Sequence, residues 1–163
     1  MVLNRYEINR NTLLIIPIDS KSSKVYEYGR EFIVNKSSLR IIKDSCLFFG
    51  SSYIGRKESS NYLLGIEMKT PIVIDGENII FFPTSSCIRE NSIWVSYNNL
   101  MKYYKYDDEK TTLYFYRHFS INIECKYSGI DSQFVRCIKL ENLIIKRKFF
   151  ISDESRHYYD FLD

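Results

Sequence analysis

Apolar and polar positions alternate along most of this chain, and in two places the period lengthens to that of a helix. Residues Tyr6 to Asn9 and Leu13 to Ile18 read as two strands joined by a turn at Arg10-Asn11, with Pro17 placing the second strand at an edge or at its end. Val25 to Tyr28 and Glu31 to Val34 form another strand pair about Gly29. Leu39, Ile42, Cys46 and Phe49 then recur at helical spacing, with Ser37 or Ser38 as the start and Gly50 as the stop, predicting a helix over about 37–49. Residues 58–68 fit a short helix or a strand equally well, because Gly65 weakens both.

Farther on, Pro71 to Ile74, the turn Asp75-Gly76, and Ile79 to Phe82 closed by Pro83 make a hairpin, and Ile93 to Tyr97 is a further strand. Thr111 to Tyr116 and Ser120 to Cys125 form another hairpin around Arg117-His118, with Tyr103 to Tyr106 extending its sheet. Ile130, Phe134, Ile138, Leu140, Ile144 and Ile145 give an imperfect helical stripe, the second helix. Nothing repeats and no linker divides the chain. The expectation is one α+β domain, a mostly antiparallel β-sheet with about two packed helices, over residues 1–148, followed by a short tail at 149–163.

Composition supports this reading. Alanine, the best helix former, is absent, while Ile, Tyr and Phe are abundant, which favours strands and fits an AT-rich genome. With 163 residues, 45% of them hydrophobic, the chain can bury a core without a disulfide staple. Cys46, Cys87, Cys125 and Cys137 show no paired spacing and no secretory signal precedes them, so they read as reduced thiols in a cytosol. No run reaches the length of a membrane span. The net charge of +3 permits nucleic-acid binding without demanding it, and the cations are concentrated between residues 126 and 148.

Catalytic chemistry finds little support. Only His118 and His157 are available to a hydrolase, and no nucleophile motif accompanies them. Cys125, Cys137 and His118 match no compact zinc pattern, Asp107-Asp108-Glu109 reads as a solvated turn, and no phosphate-binding loop is present. No catalytic residue, cofactor or metal is implied.

Binding has a better candidate. Cys46-Leu47-Phe48-Phe49-Gly50-Ser51-Ser52-Tyr53-Ile54-Gly55-Arg56-Lys57 joins an apolar helical end to a polar, glycine-bounded, basic segment read as a loop over 50–57. Gly50 can take the left-handed conformation that ends a helix, Ser51 and Ser52 offer hydroxyls, and Gly55 allows close approach beside Arg56 and Lys57. Such a loop suits phosphate or a narrow DNA groove, although a solvated loop end has the same composition. Tyr53 lies off any hydrophobic period and is a candidate for stacking on bases. Arg136, Lys139, Lys146 and Arg147 on the second helix are either outer phosphate contacts or a solvated face.

The same twelve residues resemble the signature of the competence transcription factor (ComK) family, DNA-binding activators of DNA-uptake genes in low-GC Gram-positive bacteria. The likeness continues through Arg5-Tyr6-Glu7-Ile8-Asn9, Lys69-Thr70-Pro71-Ile72-Val73-Ile74, Ile80-Phe81-Phe82-Pro83-Thr84, Trp94 and Tyr158-Tyr159-Asp160-Phe161-Leu162. It implies a cytoplasmic, non-enzymatic activator that reads paired A-tract/T-tract boxes of double-stranded DNA through the minor groove. It further implies a homodimer or tetramer, with Arg56 entering the groove and Ser51, Ser52, Tyr53, Gly55 and Lys57 around it. In the family an adaptor delivers the activator to a Clp protease through its C-terminal part. Phe149, Phe150 and Ile151 resemble that region in a shorter tail, and a terminal element docked on the core is the alternative. Two rivals to the activator stay open: an interaction module that modulates a full-length activator or its adaptor, and a single-strand binder using exposed tyrosines.

Overall fold

Among the described residues, seven strands form the central sheet and three more form a second one. The computed structural model describes residues 1–76, 79–85 and 92–160, with the backbone alone for 150–160. In chain order come β1 (Val2–Leu3), β2 (Thr12–Pro17), β3 (Ser23–Glu27), β4 (Arg30–Val34), α1 (Ser38–Phe48), α2 (Tyr53–Leu64), β5 (Ile72–Asp75) and β6 (Ile79–Pro83). They are followed by β7 (Trp94–Ser96), β8 (Leu100–Lys105), β9 (Thr111–Phe115), β10 (Phe119–Ile123) and α3 (Tyr127–Asp160). The large sheet runs β1-β4-β3-β2-β7-β6-β5, antiparallel except for the β1–β4 pair, and the small sheet runs β10-β9-β8. The α+β expectation therefore holds, with α2 as a third helix in the segment that fitted helix or strand.

The large sheet is buried on both faces, which explains why its strands read as continuous apolar runs. In β6, Ile79 and Phe81 face a core shared with α1, while Ile80 and Phe82 face a second core built from β8–β10, α3 and Leu64. Trp94 and Val95 divide between the two cores in the same way. The molecule is thus layered: α1, large sheet, then small sheet with α3.

Residues Tyr6 to Asn9 are not a strand. Their polar groups bond to side chains instead: the Ile8 amide donates to Ser45 Oγ at 3.0 Å and the Asn9 amide to Thr12 Oγ1 at 3.0 Å. Apolar alternation there reflects Tyr6 and Ile8 reaching the first core from an irregular segment. Of the cysteines, Cys46, Cys125 and Cys137 are free thiols, and Cys87 lies outside the described residues.

The turn from β9 to β10 holds Arg117 (φ 61°) and His118 (φ 63°) in the left-handed region, which costs a residue with a Cβ roughly 1–2 kcal/mol. His118 is exposed. His118→Gly is expected to stabilise the chain by about 0.5–1 kcal/mol in chemical denaturation, after the extra unfolded-state freedom of glycine is subtracted.

Candidate nucleic-acid interface

The signature residues build a helix–turn–helix corner, and the loop expected over 50–57 is a correction to make. Only Phe49, Gly50, Ser51 and Ser52 lie between the helices; Tyr53, Gly55, Arg56 and Lys57 belong to the first turns of α2. Gly50 sits at φ 80°, with its N–H donating to the Leu47 carbonyl at 3.0 Å and the Ser51 N–H to that of Cys46 at 3.0 Å. That pair of bonds is the glycine-ended Schellman termination of a helix. Ser52 then caps α2, its Oγ accepting from the Gly55 N–H at 3.0 Å. A Cβ on Gly55 would lie 3.0 Å from that same Oγ, so the glycine keeps the cap clear.

Arg56 is half-buried and folded back on the turn. Its Nε donates to Ser51 Oγ at 3.0 Å, and its two Nη nitrogens have no hydrogen-bond partner among the described residues. Ser51 thereby fixes the direction of the guanidinium. Burial pushes the Cys46 thiol beneath it up to about 11, against the pull of the Arg56 charge, so this thiol stays protonated at neutral pH. Tyr53 is not the free ring the sequence suggested: it packs against the first core, with Lys43 Nζ 5.6 Å from its ring centroid.

Three apolar side chains of the corner face solvent. Leu47, Phe48 and Ile54 are each at least 60% exposed, and a groove of about 300 Å³ runs among Arg40, Lys43, Leu47, Ser52 and Ile54. The sequence reading names none of them as a candidate, although Leu47 and Phe48 fall off the Leu39-Ile42-Cys46-Phe49 stripe. Nor does it name Lys43. Asp44 engages Lys36 at 2.6 Å and Arg40 at 2.9 Å, which leaves Lys43 without an ion pair among the described residues.

The cations of α3 separate into different roles. Arg136 is an internal tie, its Nη1 donating to the carbonyls of Met68 at 3.0 Å and Lys69 at 3.3 Å. Arg147 lies over the Tyr62 ring of α2 at 5.7 Å, and Arg56 and Lys148 line one cleft of about 220 Å³ between α2 and α3. Lys139 and Lys146 are exposed on another face of the helix and have no ion pair among the described residues. Phe149 is exposed, while the side chains of Phe150 and Ile151 lie outside the described residues, as do Phe161 and Leu162. The helix itself is continuous from Tyr127 to Asp160, so the 148/149 boundary expected for the tail falls inside α3.

A family model described as ComK protein matches residues 3–148, which includes this whole corner. The chain belongs to the ComK family. Among its ComK relatives, the competence transcription factor of Bacillus subtilis (strain 168) is 31% identical over 176 aligned residues, covering 98% of this chain and 92% of the relative. No solved structure matches the chain. The ComK-like run Arg5 to Asn9 acquires a structural role here, since Tyr6 and Asn9 both hydrogen-bond the buried Glu27.

Proposed function

We propose that this ComK-family chain is a cytoplasmic, non-enzymatic transcription activator of DNA-uptake genes. It binds AT-rich duplex as an oligomer through the α1–α2 corner. The observation that carries the reading is the composition of that corner: exposed Leu47, Phe48 and Ile54 beside Lys43, Lys57 and a guanidinium held by Ser51. Apolar wedges flanked by cations are the surface that minor-groove proteins press against base steps. A-tracts narrow that groove and concentrate its negative potential, which favours an inserted arginine.

In this reading Arg56 enters the groove through its free Nη nitrogens, Lys43 and Lys57 neutralise phosphates, and Arg147 adds an outer phosphate contact from α3. Specificity comes from groove width and from the spacing of two boxes engaged by two copies, because the minor groove does not separate A·T from T·A. The exposed Phe149 and the residues after it are the segment proposed for a Clp-protease adaptor. Deleting 149–163 is expected to slow adaptor-dependent turnover.

The deciding experiment compares a duplex carrying two A-tract/T-tract boxes with a G·C-rich duplex of equal length across a salt titration. Cooperative, AT-selective binding with a salt slope of several units supports the reading. Absence of duplex binding by folded protein replaces it with the interaction-module alternative. Arg56→Ala is expected to lose about 1–3 kcal/mol on the A/T boxes and less on the G·C control, and Arg56→Lys should not restore it, because a point charge lacks the fork that Ser51 orients. Equal losses on both duplexes would sink groove reading by this residue.

A further inference from the structure

The outer face of α3 carries a second apolar stripe that the core does not use. Val135, Ile138 and Ile145 are between 47% and 55% exposed, on the side of the helix turned away from Ile130, Cys137 and Leu140. With Asn142, also exposed, their spacing is three, four, three, and Phe149 continues it by four. This is the a/d spacing of a two-stranded coiled coil, with Val135 and Asn142 at a and Ile138 and Ile145 at d. It runs for about 21 Å at 1.5 Å per residue. Asp131, at the preceding d position, accepts from the Tyr103 hydroxyl at 2.7 Å and ends the stripe toward the N-terminus of the helix.

The flanking charges select the occupant. In the same frame Lys139 and Lys146 stand at e and Glu141 at g. Glu141 has no ion pair among the described residues, only a 3.5 Å hydrogen bond from the Tyr97 hydroxyl, and Lys146 has none either. Five residues apart, they lie on opposite flanks of one helix and cannot pair within it. Across a parallel seam, the g position of one helix meets the e position five residues on in the other, so Glu141 faces Lys146 of a second copy twice over. An antiparallel seam would instead bring the e-position lysines together.

We propose that α3 pairs in parallel with α3 of a second copy of this chain through Val135, Ile138, Asn142 and Ile145. The two Asn142 side chains meet across the axis in this register alone, which fixes the pair as an in-register dimer. The helix is already folded against its own core, so a short seam suffices to pair it. Because α2 lies against α3 at Leu140, Ile144 and Lys148, the dimer holds two α1–α2 corners at one height on either side of its axis. That use of the dimer rests on the activator reading; the seam itself does not.

Sedimentation equilibrium of the full chain without DNA tests the seam, with binding to single-box and two-box duplexes measured alongside. Ile145→Lys should weaken the dimer more than about tenfold, leave single-box affinity unchanged and abolish two-box cooperativity. Glu141→Lys and Lys146→Glu should each weaken it, and the double exchange should restore it; Asn142→Val should tighten it and relax its oligomeric state. Asn142, Ile145 and Lys146 are exposed and Glu141 is half-buried with a single long bond from Tyr97, so circular dichroism should show the variants folded. A chain that stays monomeric at 100-fold the concentration that saturates DNA, on the order of micromolar to tens of micromolar, or a dimer indifferent to all of these variants, overturns the proposal. If the seam stands but no duplex is bound, the activator reading fails alone.

Discussion

Lys43→Ala combined with Lys57→Ala is expected to lower affinity for AT-rich and G·C-rich duplex alike by about 100-fold at moderate salt, and to flatten the salt slope by about two units. A charge-assisted contact contributes roughly 1.5 kcal/mol or somewhat more, about tenfold in affinity, and each phosphate-neutralising lysine adds about one unit of slope. Neither lysine has an intramolecular carboxylate partner among the described residues, so the pair can be removed with little effect on stability. Lys36→Ala is the contrast. It breaks a 2.6 Å bond to Asp44 and should lower stability slightly while leaving the slope unchanged. Phe48→Ala separates the two halves of the corner, because an apolar wedge releases no counterions: affinity should fall and the slope should stay. A double-lysine variant that binds with wild-type slope would move the interface away from this corner.

The corner also shows how far the sequence could be read. Residue types at the α1 end were legible because helix-stop chemistry is local: an apolar stripe, then Gly50 at positive φ. The start of α2 was not, although Ser52 is a good cap, because the acidic residue expected three positions later is replaced by Gly55, a loop signal. Only the space around Ser52 Oγ shows why a glycine stands inside a helix. The same limit applies to Arg56 and Arg136. Sequence places both among candidate DNA contacts, Arg56 in the groove and Arg136 on phosphate, but whether a guanidinium is held by a serine or by two backbone carbonyls depends on segments that meet only in the fold.

Strands were read well where alternation or a turn fixed them, as in the β5–β6 and β9–β10 hairpins, and poorly at Tyr6 to Asn9, where alternation came from two side chains entering a core without a ladder. The length of α3 escaped because its apolar stripe toward the body stops near Ile144 while the helix continues to Asp160. Ile138 and Ile145, which the sequence reading counts in that stripe, are instead about half exposed on the outer face, because an imperfect helical period does not separate one apolar face from two.

Glu27 is where acid should unfold this protein. The carboxylate is buried, yet it accepts from the Tyr6 hydroxyl at 2.6 Å, from Asn9 Nδ2 at 2.9 Å and from Arg30 Nε at 2.7 Å. Burial alone would raise its pKa, but the three donors and the Arg30 charge outweigh it and hold the carboxyl below the ordinary glutamate range. A group lowered in the folded state adds stability that is complete above its unfolded value, about 4.3. It is lost as the pH falls from there through the folded value. Wild-type stability should therefore drop between about pH 5 and the foot of the acid transition. Glu27→Gln should remove that part of the pH dependence and cost about 1–2 kcal/mol at neutral pH, since an amide turned toward Arg30 offers a donor where an acceptor is needed. Glu27→Ala, which strips the acceptor from all three donors, should cost about 3 kcal/mol. Because Tyr6 and Asn9 belong to the ComK-like run and Tyr6 reaches the core under α1, this loss should loosen the layer that carries the α1–α2 corner. DNA affinity measured on the folded fraction should nonetheless remain close to wild type. An acid transition unchanged by Glu27→Gln would show that other carboxylates control it.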